Sequence, residues 1–553
     1  MNMMRITAAI AGLFLLCCSD GALAQTSWPM FGQNIGNTAS NTSDISAKNV
    51  NKLQPKWTFT TGGDVSARAA VVNGVAYFPD WQGNLYAVNA STGKQIWSHQ
   101  LSDYSSSTGV ISQGTLSRTS PAVVNGVVYV GTQWVPSGPT GWLLAINATT
   151  GALVWKTQPD PLNPFPVITA SPVVANGTVY VGMTSNEEYA ASDPSYTCCS
   201  VRGSVVAVNA GTGVVLWQTF TTPVGYSGAN VWGSNPVVDV ARGTVFVGTG
   251  NNYSHPTDLA PASGPYPNYK ACIGAGGTEA TCLSSDNHAD SILALDMTTG
   301  AIKWATRLMN WNQPGVVNGS DDWNTACFIP PFTDCPPPLP GGPDYDFGSA
   351  PNEITYQSAT GPKTIIGAGQ KSGIYYALDP DTGGVLWATQ VGPGSSLGGM
   401  EWGQATDGTR IYVAIANFYG IPYAAGSAGS WAALDPATGH ILWQTADPNG
   451  AFDIGPVTVA NGVVYAGSMG GPSSTTAPTL FALDATNGKF LWNFPAGSSV
   501  NAGASIVKDT VYWGSGYSRF GPTLGTGNNK FYAFTLSGSC TRRIVNRYTR
   551  GFS

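Results

Sequence analysis

The sequence predicts an all-β fold, an eight-bladed β-propeller built on tryptophan-docking repeats. Three observations carry this reading: a short internal repeat, a composition suited to strands and tight turns, and two chain ends that complement each other. The repeat reads Ala, an apolar residue, Asn or Asp, two free positions, Thr or Asn, Gly, three free positions, Trp. It runs from Ala87 to Trp97, Ala145 to Trp155, Ala207 to Trp217, Ala294 to Trp304, Ala377 to Trp387, Ala433 to Trp443 and Ala482 to Trp492. A truncated eighth copy, Tyr532-Ala533-Phe534-Thr535, lacks the tryptophan.

Between copies lie strand-like segments that turn at Asn-Gly, such as Ser120 to Gly131 and Ser171 to Gly182. Each unit therefore reads as two hairpins, an inner pair turning at Asn-Gly and an outer pair turning at Thr-Gly. One four-stranded sheet cannot cover both of its faces, so the units must stack, and radial stacking leaves only short, protected edges. Seven full copies and a truncated one give eight blades. The segment from Leu53 to Phe59, with Trp57, is expected to return as the outer strand of the last blade. Indole rings recurring at one repeat position are wedges between neighbouring sheets, each with a large apolar area to cover.

Composition agrees. Charged residues are 10% of the chain, against about 25% in average domains, and 69 glycines and 38 prolines favour turns. The formal charge of −6 comes with no basic stripe, so nucleic acid is not expected as a partner. Met1, Arg5 and the apolar run Ile6 to Cys18, followed by Ala22-Leu23-Ala24, read as a signal peptide over 1–24. Residues 25–553 then form a single propeller domain in a periplasmic or secreted protein, with no membrane span. Cysteine spacing suggests local disulfides at Cys198 and Cys199, Cys272 and Cys282, and Cys327 and Cys335, with Cys540 left over, although the pairing stays open. Zinc-type ligand spacing is absent and there are only four histidines.

The tryptophan-docking repeat resembles that of the pyrroloquinoline quinone (PQQ)-dependent alcohol dehydrogenases across nearly the whole mature chain. Trp28-Pro-Met-Phe-Gly-Gln-Asn, Arg118-Thr-Ser-Pro121 and Asp346-Phe-Gly-Ser-Ala-Pro351 are similar to segments of polyvinyl-alcohol dehydrogenases. Outer-membrane assembly propellers carry a similar repeat, so a non-catalytic binding or assembly-scaffold propeller is the alternative. The resemblance implies a quinoprotein that oxidises an alcohol, secondary or polymeric, with PQQ and Ca2+. A different divalent ion or a lanthanide stays open.

Residue by residue, the resemblance places Glu187, with Glu188 as competitor, and Asn251 as ligands of the cation. Oxygen donors of this kind suit calcium. Trp232, in Val231-Trp-Gly233 and outside the docking series, would lie under the planar quinone. Thr169 and Arg118 would serve as hydrogen-bond donor and carboxylate clamp, and Lys371 as the cation near the quinone carbonyls. The base falls on Asp346, also a metal ligand, or on Asp344; Asp321-Asp322-Trp323-Asn324 is a competing match. No cysteine pair precedes Arg118, Cys198-Cys199 sits beside Glu187 instead, and Ser66 stands where relatives have a glutamate. No C-x-x-C-H haem-attachment site is present, which implies a separate cytochrome c as electron acceptor. The two longest docking intervals contain Asn252 to Asp290 and Met309 to Asp346, and these insertions are expected to wall the site.

Overall fold

The computed structural model describes residues 26–106, 109–133, 141–190, 196, 199–233, 235–254, 269–277, 282–308, 344–470, 476–519, 521 and 524–537. Its eight four-stranded units follow one another around a ring. Blade 1 illustrates the unit: Ala70–Val72, Val75–Pro79, Asn84–Asn89 and Gln95–Gln100, all antiparallel. Blades 2 to 7 repeat it, ending on outer strands Leu153–Thr157, Val215–Phe220, Ile302–Arg307, Val385–Gln390, Ile441–Ala446 and Phe490–Phe494. Blade 8 takes Ser505–Val507, Thr510–Gly514 and Lys530–Leu536 from the C-terminal end of the chain. Its outer strand is Leu53–Thr60, paired from Leu53 opposite Leu536 to Thr60 opposite Lys530.

The inner hairpins turn where Asn-Gly demands it. Asn73 and Gly74 have φ of 50° and 78°, and Asn125-Gly126, Asn176-Gly177 and Asn461-Gly462 follow suit. Two successive positive φ values make the tight turn that matches strand twist, and Asn and Gly tolerate them best.

The docking repeat joins each blade to the next. Every outer-strand tryptophan donates its indole N–H to a backbone carbonyl of the following blade: Trp57 to Ala90, Trp97 to Ala148, Trp155 to Ala210, Trp217 to Met297, Trp304 to Pro380, Trp387 to Pro436 and Trp443 to Ala485, at 2.9–3.3 Å. Trp492 completes the circle by donating to Leu53 O at 3.1 Å. The glycine of each Thr-Gly turn presses on the ring from the preceding blade. A Cβ on Gly439 would stand 2.4 Å from Trp387, and one on Gly93 2.7 Å from Trp57. A tyrosine of the second strand often shares the carbonyl, as Tyr77 does with Trp97 at Ala148.

A second closure runs around the inside. Backbone groups of the segment from Trp28 to Ala39 bond inner strands of blades 1, 2, 4, 5, 6 and 7, at Val71, Val123, Val238, Glu353, Thr406 and Val459. The Asn41 side chain then reaches Ile506 O of blade 8 at 2.7 Å. Arg68, 1% exposed, ties the start of this segment to blade 7. It donates to Phe31 O, Val457 O and Thr458 Oγ1 and lies over the Phe31 and Trp28 rings. Burial pulls its pKa down to about 9.

The Cys272–Cys282 disulfide is formed, and Cys199 is disulfide-bonded. Cys198, Cys327, Cys335, Cys540, the segment 1–24 and the Asp321-to-Asn324 alternative lie outside the described residues. No helix among the described residues is long and apolar enough to cross a membrane.

If Trp492 closes the ring, Trp492→Ala should lower stability by about 3 kcal/mol. Trp492→Phe, which keeps an aromatic wedge but loses the bond to Leu53, should cost only about 1 kcal/mol. Urea unfolding midpoints of the two variants against wild type measure the difference.

Candidate active site

Residues just ahead of the inner strands and residues in the loops joining second to third strands meet at one mouth of the ring. There they line a cavity of about 630 Å³. Seven of the residues singled out from sequence line it: Arg118, Thr169, Trp232, Asn251, Asp344, Asp346 and Lys371. They come from several different blades and the junctions leading into them, so only ring closure brings them together.

Trp232 organises the centre. Its Nε1 donates to Asp346 Oδ2 at 2.8 Å, and Trp402 meets it edge-on, with centroids 5.6 Å apart and planes at 87°. Gly348 lets the ring in: a Cβ there would stand 2.7 Å from the indole. Thr169 turns its hydroxyl to the backbone of this residue, donating to Trp232 O at 2.6 Å. Cations sit near the ring: Lys371 Nζ is 4.9 Å and the Arg118 guanidinium 5.8 Å from its centroid. Arg118 lies closer to Trp402, at 4.5 Å. Burial pulls the Arg118 pKa down to about 10.

Lys371 is held by two carboxylates. Its Nζ is 3.1 and 3.0 Å from the two oxygens of Asp344 and 3.0 Å from Asp346 Oδ1. Asp344 and Asp346 are both buried. The two base candidates thus share one cation at the cavity wall. Asp346 also receives the indole N–H of the central tryptophan.

Glu187 stands one residue beyond the lining residue Asn186 and is fully buried. Its Oε1 accepts from Tyr196 Oη at 2.6 Å and from the Ser200 N–H and hydroxyl, and its Oε2 accepts from Val201 N at 2.8 Å. Its carboxylate therefore braces the loop behind the cavity. The described residues contain no cluster of three or more His, Cys, Asp or Glu side chains that could hold a metal. Asn251 and Asp346 line the cavity with oxygen donors, and a hard cation could use them only with backbone oxygens, solvent or cofactor oxygens beside them. A planar aromatic anion fits better. The Trp232 face, the half-buried Arg118 with its Nε unpartnered, and the polar rim offer stacking, charge and hydrogen bonds together.

Sequence reasoning missed several residues of the cavity, chief among them Glu401, Trp402, Tyr517 and Arg519. Glu401-Trp402-Gly403 repeats the pattern of Val231-Trp232-Gly233, a tryptophan–glycine pair outside the docking series, and that signal was available. Glu401 is 9% exposed and its Oε2 has no hydrogen-bond partner. Burial pushes its pKa up to about 7, Lys371 and Arg118 opposing and Asp346 adding to the rise. Ser66, the departure noted from sequence, accepts the Trp81 indole N–H at 2.8 Å. Of the two insertions, Tyr253, Asp344, Tyr345 and Asp346 reach the cavity; residues 255–268, 278–281 and 309–343 lie outside the described ones.

Comparison with known proteins bears on the family and the fold. The PQQ_2 family model, described as outer membrane protein assembly factor BamB, matches residues 42–306 and 370–528. The chain belongs to this family. It is 29% identical to a polyvinylalcohol dehydrogenase of Sphingopyxis sp. (strain 113P3) over 89% of this chain and 74% of that protein. It is 26% identical to the quinohemoprotein alcohol dehydrogenase of Comamonas testosteroni over 92% of this chain and 76% of that one. The solved structure of a Comamonas testosteroni quinohemoprotein alcohol dehydrogenase superposes with a TM-score of 0.65 at 20% identity, covering 96% of this chain and 83% of the other. A europium-containing methanol dehydrogenase gives 0.63 at 16%, over 92% and 98%. These two structural likenesses concern the fold, the eight-bladed ring described above.

Glu401 makes a testable electrostatic prediction. A carboxyl whose folded pKa is about 7, against an ordinary 4.5, favours the native state below 4.5, and that contribution is lost as pH rises through 7. Glu401→Gln cannot ionise. The variant should match wild type near pH 4.5 and become more stable than it by up to about 3 kcal/mol above pH 7. Urea midpoints across this range provide the check, and parallel curves would mean that Glu401 ionises normally.

Proposed function

We propose that this chain is a PQQ-dependent dehydrogenase that oxidises an alcohol. The observation that carries the reading is the convergence of Trp232, Arg118, Lys371, Asp344 and Asp346 on one cavity at the ring's mouth. Similarity to alcohol-oxidising quinoproteins over about nine-tenths of the chain supports it. An assembly scaffold has no use for two carboxylates held by a buried lysine in a cavity.

PQQ, when bound, supplies an acceptor for the two electrons that leave the alcohol carbon. The protein's residues do the rest. Trp232 offers an indole face for a flat ring, Arg118 pairs with carboxylate, and Lys371 offers an ammonium N–H to the quinone oxygens. A carboxylate must take the hydroxyl proton. Asp346 is assigned that role because the Trp232 indole N–H and Lys371 fix its orientation. Asp344 then shares the charge of Lys371. Asn251 and Asp346, with Glu187 behind them, are the proposed neighbourhood of a calcium ion.

The finer reading is a secondary alcohol, and among these segments of polyvinyl alcohol, since two relatives carry that name. Electrons pass to a separate cytochrome c. The protein acts after export, in the periplasm or outside the cell.

The test begins with purified protein given PQQ and calcium. It should show quinone absorption and reduce an artificial dye only when a secondary alcohol is present. Absence of bound quinone sinks the proposal. Asp346→Asn should lower kcat by about a thousandfold with PQQ still bound, whereas Asp344→Asn should lose far less. The reverse order would transfer the base role to Asp344.

A further inference from the structure

The cavity carries three cations, Arg118, Lys371 and Arg519, and they are held in different ways. Lys371 is clasped by Asp344 and Asp346. Arg118 and Arg519 come from elsewhere in the ring, the junction of blades 1 and 2 and the loop of blade 8. Each of these guanidinium groups is supported by an indole: Arg118 lies 4.5 Å from the Trp402 centroid and Arg519 5.5 Å from that of Trp81. Trp81 is itself held, by its bond to Ser66 and by an edge-on contact with Tyr517 at 5.9 Å.

The two charges are close enough to act on one group. Tyr517 is 1% exposed; burial raises its pKa, and Arg118 and then Arg519 oppose the rise. Arg519 stands exposed at the mouth, and the two residues before it are anchored by hydrogen bonds. Asp64 accepts from the Ser518 N–H and hydroxyl, both at 2.6 Å, and from Asn528 N at 2.7 Å, while Tyr517 N bonds Thr526 O. An ordinary surface arginine gains nothing from such support. One that must meet a ligand gains a defined position.

We infer that Arg519 and Arg118 together form a two-armed clamp for a ligand bearing at least two carboxylates. The inference rests on the PQQ reading, under which the ligand is a tricarboxylate. Arg118 takes one carboxylate at the half-buried floor and Arg519 a second nearer the mouth. The Lys371 side, already neutralised, is left to the uncharged oxygens of the ring. Charge asymmetry across the cavity then fixes which edge of the flat ligand faces which wall.

The experiment measures binding, with turnover playing no part. Calcium-loaded wild type, Arg519→Gln and Arg519→Lys are titrated with PQQ and with its trimethyl ester, following quenching of tryptophan fluorescence. Arg519→Gln should weaken PQQ about tenfold, the effect of losing one charge-assisted contact, and leave the ester unchanged. Arg519→Lys should recover part of the loss, and the salt dependence of PQQ binding should become shallower in Arg519→Gln. Unchanged PQQ affinity, or equal losses for acid and ester, overturns the clamp while the cofactor reading stands. Wild type that binds no PQQ overturns both.

Discussion

Each blade of this protein is held by an indole that belongs to its neighbour. The ring of eight N–H bonds, from Trp57 to Ala90 around to Trp492 and Leu53, leaves no blade with a free face. A propeller blade is a small sheet with two apolar faces, and alone it would be marginal. The indole supplies apolar area and one directional bond at the same place, so stacking distance and rotation are set together. The glycine beneath seven of the rings is part of the same device, because any side chain there would push the indole away.

Closure is where such a ring is weakest, since blade 8 is assembled from both ends of the chain and no turn joins its outer strand to the other three. Two devices meet there. Leu53–Thr60 completes blade 8 as its outer strand, so unfolding that blade requires both ends of the chain to separate. The segment from Trp28 onward runs inside the ring and bonds the inner strands of most blades, with Arg68 tying it to blade 7. The cavity depends on both, because Arg519 belongs to blade 8 and Arg118 to the junction of blades 1 and 2.

The repeating part of this architecture was plain in the sequence. Docking tryptophans, Asn-Gly turns and the strand around Trp57 recur or complement one another, and periodicity is visible without coordinates. The inner segment was not legible, because it works through backbone groups that any residue carries. Arg118, Trp232, Asp344, Asp346 and Lys371 could be placed by resemblance to a family. Arg519 could not, standing on a loop outside the repeat, and Glu401 was marked only by the tryptophan–glycine pair it precedes; its character comes from burial and from the charges that face it. Asp344 and Asp346 could not be separated by a motif that contains both, and the structure brings both carboxylates to the same ammonium group.

The cavity's charges are arranged so that neither wall is indifferent to a ligand. A lysine held between two aspartates fixes those carboxylates next to a central indole. Two arginines resting on indoles keep their charge directed at the shared space. Between the walls lies Glu401, whose burial holds its pKa near 7 and keeps a third negative charge from settling permanently in the cavity. Had that carboxyl been fully ionised, it would have offset the charge of Arg118 and weakened the attraction for an anionic ring. The cavity thus sets two arginines on one side against a lysine clasped by two aspartates on the other, so that a flat ligand entering between them meets two chemically different walls.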